Sequence, residues 1–418
     1  MLVALPATFI ALWSHGPLQG SPLAPPKVPS DHVSVDRSGV RKICQVVGES
    51  DRQTGRKTIN ATETNYGFWG TDLGSSFEHD GRLYFLFGDT HASGGLQRGR
   101  DRDLVAVSDD ADPDDCLTLS VITDPDGGYR PLTIPSVSAG EFSVPTGGFS
   151  ANGKMYVFAT TDYSPSNPMG RSVLASSADG GHDFDLTYNL STDKFINVAP
   201  VKVNAAAMPG LPAHDRGMKG DEGVLMWGSG SYRKSSPYLA FAPAGEVEDK
   251  AALRYFAGTD PKTGAPMWSR EEADSAPLFK QACVGELSVA WNPYLNRWVM
   301  LYNCGAPHSQ ILLRTAEKPW GPWSESQVLF DAERDSGFCR FLNAGSAIRP
   351  AAMGGDCQTV ADPHNPATNG DPYAPYMISS FTKGVAGGHS DIYFMMSTWN
   401  PYTVVLMKAT LRLTGAPS

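Results

Sequence analysis

The sequence has almost no helical periodicity, no dense basic run and no apolar stretch long enough to span a bilayer. Without apolar residues recurring every three or four positions, a helical bundle is excluded. A protein that tracks phosphates needs a stripe of Lys and Arg. Here 34 basic residues face 44 acidic ones, for a net charge of −10, and the Arg98–Arg102 stretch is broken by Gly and Asp. Nucleic acid is excluded as a partner, and a neutral partner such as a sugar fits better. The longest apolar run, Met1 to Trp13, is too short for an integral membrane segment. There is no G-x-S-x-G elbow, since Gly228-Ser229-Gly230-Ser231 reads as a turn, and no Walker A or dinucleotide fingerprint. No two cysteines stand two to four residues apart, which removes a zinc site.

What is abundant is turn chemistry. The 418 residues include 43 Gly and 32 Pro, the proportion expected of many short strands joined by many turns, while a 41% hydrophobic share suffices for a sizeable core. Apolar runs such as RLYFLF (82–87), KMYVFA (154–159) and RWVMLY (297–302) recur between Gly- and Pro-rich breaks. They group into five units, each opening on an inner strand: Gly70-Thr71-Asp72, Pro145-Thr146-Gly147, Asp221-Glu222-Gly223, Gly285-Glu286-Leu287 and Tyr373-Ala374-Pro375-Tyr376. Five such units predict an all-β fold, a five-bladed β-propeller whose inner strand starts line one mouth of a central channel. The segment Ser177-Ala-Asp179-Gly-Gly-His-Asp-Phe184 fits a hairpin turn common in propeller blades, its Asp accepting backbone N–H groups. Trp291, Trp298, Trp320 and Trp323 read as blade core.

The expected organisation is a signal peptide over 1–24, a flexible lead-in over 25–60 and a single propeller domain over 61–418, with a long loop near 331–372. The apolar opening lacks a preceding basic residue, the first being Lys27, but otherwise fits export, so a secreted or envelope-exterior monomer is expected. Cysteines support this. Cys283 and Cys304 flank two apolar strands around Asn292-Pro-Tyr-Leu-Asn296, and an antiparallel pairing would set them opposite each other. Cys339 and Cys357 would close a loop, leaving Cys44 and Cys116; six cysteines allow 15 connectivities. Sequons occur at Asn60 and Asn189.

The chemistry-bearing residues cluster early. Asp72 opens the first inner strand, Asp89 ends the next, and the turn at His79-Asp80-Gly81 lies midway, so folding back brings both aspartates to one end. Two neighbouring carboxylates are the equipment of glycoside hydrolysis: one protonated to donate to the leaving oxygen, one ionised to activate water or attack the sugar. Glu286, opening the fourth unit, is a third acid at the same mouth, suited to position water, tune an Asp or orient a hydroxyl. Trp69, Tyr376, Trp399 and Tyr402 offer flat faces for sugar rings, Arg233 and Arg314 offer forked donors, and Thr146 stands at the opening of the second unit. No cofactor is required. Carboxylates converging on the channel are compatible with a structural Ca2+, although no loop has a ligand spacing.

The segments GTDLG and RLYFLFGDT, together with VPTGGF (144–149), GELSVAWNPYLNRWVMLY (285–302), ILLRTAEKPWGPWSE (311–325), YAPYMI (373–378) and STWNPYTVVLMK (397–408), strongly resemble the endo-D-arabinanase family of glycoside hydrolases. The resemblance runs from about Asn65 to the carboxyl terminus. It implies a five-bladed propeller that cleaves mycobacterial-type arabinan internally, with the family's essential Asp pair falling on Asp72 and Asp89. A non-catalytic glycan-binding propeller, or a hydrolase of another sugar polymer, is the competing expectation.

Overall fold

Apolar residues on both faces of most strands demand a covering layer on each side, and the fold supplies it by stacking sheets face to face. The computed structural model describes residues 32–93, 102–140, 142–212, 221–305, 309–345 and 368–415. The proposed signal peptide and Cys357 lie outside these residues.

Strand β1 (His32–Gln45) comes first. The first blade holds β2 (Phe68–His79), β3 (Arg82–Ala92) and β4 (Arg102–Ser108), with short outer strands β5 (Ser120–Val121) and β6 (Pro131–Leu132). The second holds β7 (Pro145–Ala151), β8 (Lys154–Thr161), β9 (Arg171–Ser177) and β10 (Asp185–Ser191). The third holds β11 (Asn197–Asn204), β12 (Glu222–Ser229), β13 (Pro237–Pro243), β14 (Arg254–Thr259) and β15 (Pro266–Ser269). The fourth holds β16 (Val284–Asn292), β17 (Arg297–Cys304), β18 (Gln310–Ala316) and β19 (Gln327–Asp331). The fifth holds β20 (Pro372–Met377), β21 (Lys383–Val385), β22 (His389–Thr398) and β23 (Thr403–Thr414). All the strand pairings among the described residues are antiparallel.

The innermost strands β2, β7, β11, β16 and β20 touch in a closed ring. Between each pair of neighbouring blades lies one apolar core. Trp227 of the third blade packs on Trp298 of the fourth, their ring centroids 5.1 Å apart, for example, and Leu301 of the fourth shares a core with Phe394 and Met407 of the fifth. This sandwiching explains why the strands read as near-continuous apolar runs rather than alternating ones. The β2–β3 hairpin turns at Asp80-Gly81, both with positive φ (48° and 76°), the geometry two-residue hairpins favour. The Ser177–Phe184 turn forms as expected: Asp179 Oδ1 accepts from the N–H groups of His182 and Asp183 at 3.1 Å, and Phe184 is buried.

Three expectations need correction. The lead-in is not flexible over its described part. β1 pairs along β23 as the outermost strand of the fifth blade, and Cys44 is bridged to Cys116 of the first blade, so the amino-terminal strand closes the ring. The inner strand of the third blade is β11, not the strand opening at Asp221; Pro200 interrupted its NVAPVKVN pattern. Trp291 is 38% exposed, packing edge-on against buried Trp298 rather than in a core. Asn60 is buried and donates to Val46 O and Leu117 O, so it cannot accept a glycan, whereas Asn189 is exposed. Cys283 and Cys304 are bridged across the β16–β17 pair as expected, with Cα atoms 4.7 Å apart, and Cys339 is also disulfide-bonded. Such bridges belong to oxidising compartments. No helix among the described residues is long and apolar enough to cross a membrane.

Candidate active site

Because β2 and β3 form one hairpin, Asp72 pairs with Gly88, and Asp89 follows one residue on. Thr71 Oγ1 locks this end by donating to Gly88 O at 2.7 Å. Gly88 admits no side chain: a Cβ would lie 2.7 Å from Val144 Cγ1 and 2.9 Å from Leu73 Cδ1. The Leu73 N–H donates to Ser397 Oγ at 2.7 Å, fastening the Asp72 segment to β22. Non-glycine residues with left-handed backbone gather around this mouth: Leu73 (φ 66°), Asp89 (45°), Phe142 (59°), Arg233 (53°) and Ala374 (49°). Backbone strain of this kind concentrates at functional sites.

Asp72, Asp89 and Glu286 face one cavity of about 480 Å3, walled also by Phe142, Tyr232, Arg233, Tyr373, Trp399 and Tyr402. Tyr373 Oη donates to Asp72 Oδ2 at 2.8 Å. Asp72 is buried, and its other oxygen, Oδ1, has no hydrogen-bond partner among the described residues. Burial pushes the Asp72 carboxyl up to about 7; the Tyr373 and Tyr402 hydroxyls oppose this and the Glu286 charge adds to it. Asp89 is half-buried. Its N–H donates to Asp103 Oδ1 at 3.2 Å, and Tyr402 Oη donates to Asp89 O at 3.1 Å.

Glu286 shows the opposite balance. Burial works against its charge, but the Arg233 guanidinium outweighs burial and holds it below the usual carboxylate range. Arg233 Nη2 and Nε contact its two oxygens at 3.0 and 3.1 Å, and Asn303 Nδ2 donates at 2.8 Å. Arg233 also lies over the rings of Tyr232 and Tyr373, at 4.7 and 5.2 Å. Among the described residues, no group of three His, Cys, Asp or Glu is arranged to hold a metal ion.

The sequence-derived candidates divide three ways. Asp72, Asp89, Glu286, Arg233, Trp399 and Tyr402 meet in the cavity, and Trp69 stands beside it, stacked on the cavity residue His91 at 4.9 Å. Thr146 and Tyr376 line the central channel instead, a separate space of about 330 Å3. Thr146 Oγ1 is occupied by the Val198 N–H at 3.1 Å. A register shift between Tyr373 and Tyr376 gives the cavity Tyr373 rather than Tyr376. Arg314 is nowhere near the cavity. It packs 4.2 Å from the Phe279 ring in the fourth blade, with Nη2 donating to Gln281 Oε1 at 2.8 Å, so its role is structural.

One acid escaped the sequence reading. Asp103 is buried beside the pair, and burial, reinforced by the Asp89 charge, raises its carboxyl well above the ordinary value. Its signal was a lone acid opening the apolar DLVAV strand alongside the strand that carries Asp89. Tyr373, Tyr232 and Phe142 were missed because each sits in a loop or irregular strand start that periodicity does not place.

The profile of a family described as a domain of unknown function, DUF4185, matches residues 57–408. The chain belongs to the DUF4185 family. Among curated proteins, none matches its sequence. Among solved structures, this DUF4185 chain is similar to a protein of Bacteroides ovatus ATCC 8483 given provisionally as a hydrolase, at 13% identity and a TM-score of 0.51, covering 83% of this chain and 87% of that one. It is also similar to the GH43_1 enzyme of Xanthomonas citri (12% identity, TM-score 0.43, 82% and 87% covered). A third is the alpha-L-arabinofuranosidase of Podospora anserina in complex with cellotriose (11% identity, TM-score 0.41, 90% and 96% covered). At these identities the likeness is one of fold.

Proposed function

We propose that this DUF4185 protein is a secreted glycoside hydrolase that cleaves arabinofuranosidic linkages inside D-arabinan, with Asp72 and Asp89 as its acid pair. The observation that carries the reading is the pairing of unlike carboxyls in one cavity: Asp72 is buried and pushed up to about 7, while Asp89 beside it is half-buried. Environments that separate two acids in this way assign their roles. Asp72 is the general acid. Tyr373 occupies Oδ2, which leaves a proton on Oδ1 to be donated to the leaving glycosidic oxygen. Asp89, the more open of the two, is the partner that acts on the anomeric carbon, as base or nucleophile. Asp103, its carboxyl raised by burial and by the Asp89 charge, accepts from the Asp89 N–H and so fixes the Asp89 backbone. Glu286, kept ionised by Arg233, raises Asp72.

The aromatic rim of Trp399, Tyr402 and Trp69 supports a sugar substrate. The provisional hydrolase of Bacteroides ovatus supports the class at the level of fold, and the D-arabinan specificity rests on the motif resemblance. The test is incubation with D-arabinan, L-arabinan and galactan, followed by chromatography of the products. Oligomers from D-arabinan alone, lost in Asp72→Asn and in Asp89→Asn, are expected. Cleavage that survives both substitutions would remove the acid pair. D-arabinan bound without release of reducing ends would make the protein a glycan-binding propeller.

A further inference from the structure

A second cavity, of about 470 Å3, lies against the first, with Glu49, Arg52, Glu63, Trp69, Pro401 and Tyr402 in its wall. Tyr402 belongs to both cavities. Trp69 and Trp399 flank it at 6.3 and 6.1 Å and remain 43% and 52% exposed. The partition between the cavities is therefore an aromatic ridge, with much indole surface left open to water at considerable hydrophobic cost. Behind the ridge, the Arg52 guanidinium and Glu63 carboxylate make no hydrogen bond or ion pair among the described residues. Glu49 differs: it accepts from Thr64 and pairs with Lys57 at 3.2 Å, so it is part of the wall. The cavity is held in shape before any ligand arrives. Gln45 Nε2 donates to Val47 O at 2.7 Å, and Thr58 Oγ1 donates to Gly48 O at 2.5 Å.

We propose that this cavity is a distal subsite, which holds the glycan chain on the far side of Tyr402 while the bond at Asp72 and Asp89 is cut. The proposal rests on the glycan-cleaving reading above. An open aromatic face, one free cation and one free anion suit a neutral chain rich in hydroxyl groups. The charges cancel, so no ionic ligand is selected, while each can bind sugar hydroxyls. A chain that must cross the ridge to fill both cavities is gripped on one side of the scission point, which favours internal cleavage of a polymer over trimming of a short end. Binding energy gathered away from the reacting bond is what distinguishes long from short substrates.

The test compares the wild type with the double variant Arg52→Ala/Glu63→Ala, two exposed side chains whose removal leaves the core intact. Substrates are D-arabinan polymer and a short D-arabinofuranosyl oligosaccharide. The expected result is a rise of about tenfold in KM for the polymer, with kcat on the polymer and all constants on the short substrate unchanged. An unchanged polymer KM, or an equal rise on both substrates, overturns the subsite while leaving the catalytic assignment standing. If the wild type cleaves neither substrate, the catalytic reading fails, and the subsite is judged by calorimetric titration of the same two ligands. Tighter binding of the polymer that the double variant loses sustains it; affinity independent of chain length overturns it.

Discussion

A carboxyl held at about 7 inside a folded protein is a liability at alkaline pH, and Asp72 makes that liability measurable. In the unfolded chain the same group titrates at 3.8. Between these values the native state binds a proton that the unfolded state has released, so stability falls as pH rises through this window. The gap is a little over three pH units, and at about 1.4 kcal/mol for each, deprotonating Asp72 in place costs about 4 kcal/mol. The loss begins as the pH rises through 3.8 and is complete above about pH 8. Asp72→Asn removes the charge yet keeps an oxygen to accept from Tyr373 Oη. For a chain of this size, with an unfolding entropy of about 0.8 kcal/mol/K, that is a gain of about 5 °C in Tm. The assay is differential scanning calorimetry of both proteins at pH 4.5 and 8.5. Asp72→Asn should melt higher than wild type at pH 8.5 and nearly level with it at pH 4.5, while losing glycan cleavage. Equal melting at both pH values, or a variant destabilised at both, would refute the claim that Asp72 is a strained buried acid.

Other expectations follow from the same geometry. Cleavage by the wild type should decline with an alkaline limb near pH 7 as Asp72 loses its proton; Tyr373→Phe removes a donor that favours the ionised form, so a pH–kcat/KM profile should show the limb moved upward. Asp89→Asn should lower kcat by about 10² to 10⁴-fold with the fold intact, checked by steady-state kinetics alongside circular dichroism. Arg233→Met strands Glu286 as an unpaired buried charge and should cost about 3–5 kcal/mol at pH 7 in chemical denaturation. That deficit should shrink below pH 4, where Glu286 in the variant is protonated. Cys44→Ser/Cys116→Ser opens a bridge spanning 72 residues and should cost roughly 4 kcal/mol, read as an earlier denaturation midpoint.

The sequence alone determined the fold class and most of the mouth. Five groups of short apolar strands, punctuated by Gly and Pro, are a local pattern, and each strand's burial follows from its own composition. The convergence of Asp72 and Asp89 was legible for the same reason: a single hairpin with its turn at Asp80-Gly81 sets their register, with no distant contact required. Glu286 and Tyr402 were legible because strand openings and ends in a propeller collect at the channel mouth. Only the tertiary structure decided which charged groups meet across blades. Arg233 reaches Glu286 from a loop of the third blade to a strand of the fourth, whereas Arg314, chemically identical, turns outward to Gln281. Tyr373 rather than Tyr376 reaches Asp72 because a register irregularity intervenes between them. Asp103 has its carboxyl raised only through burial against two other acids. β1, an unremarkable lead-in by composition, closes the ring because β23 offers it an unpaired edge some 370 residues away. Local chemistry fixes what a strand is; which strands face one another, and so which protons are held, is a property of the closed ring.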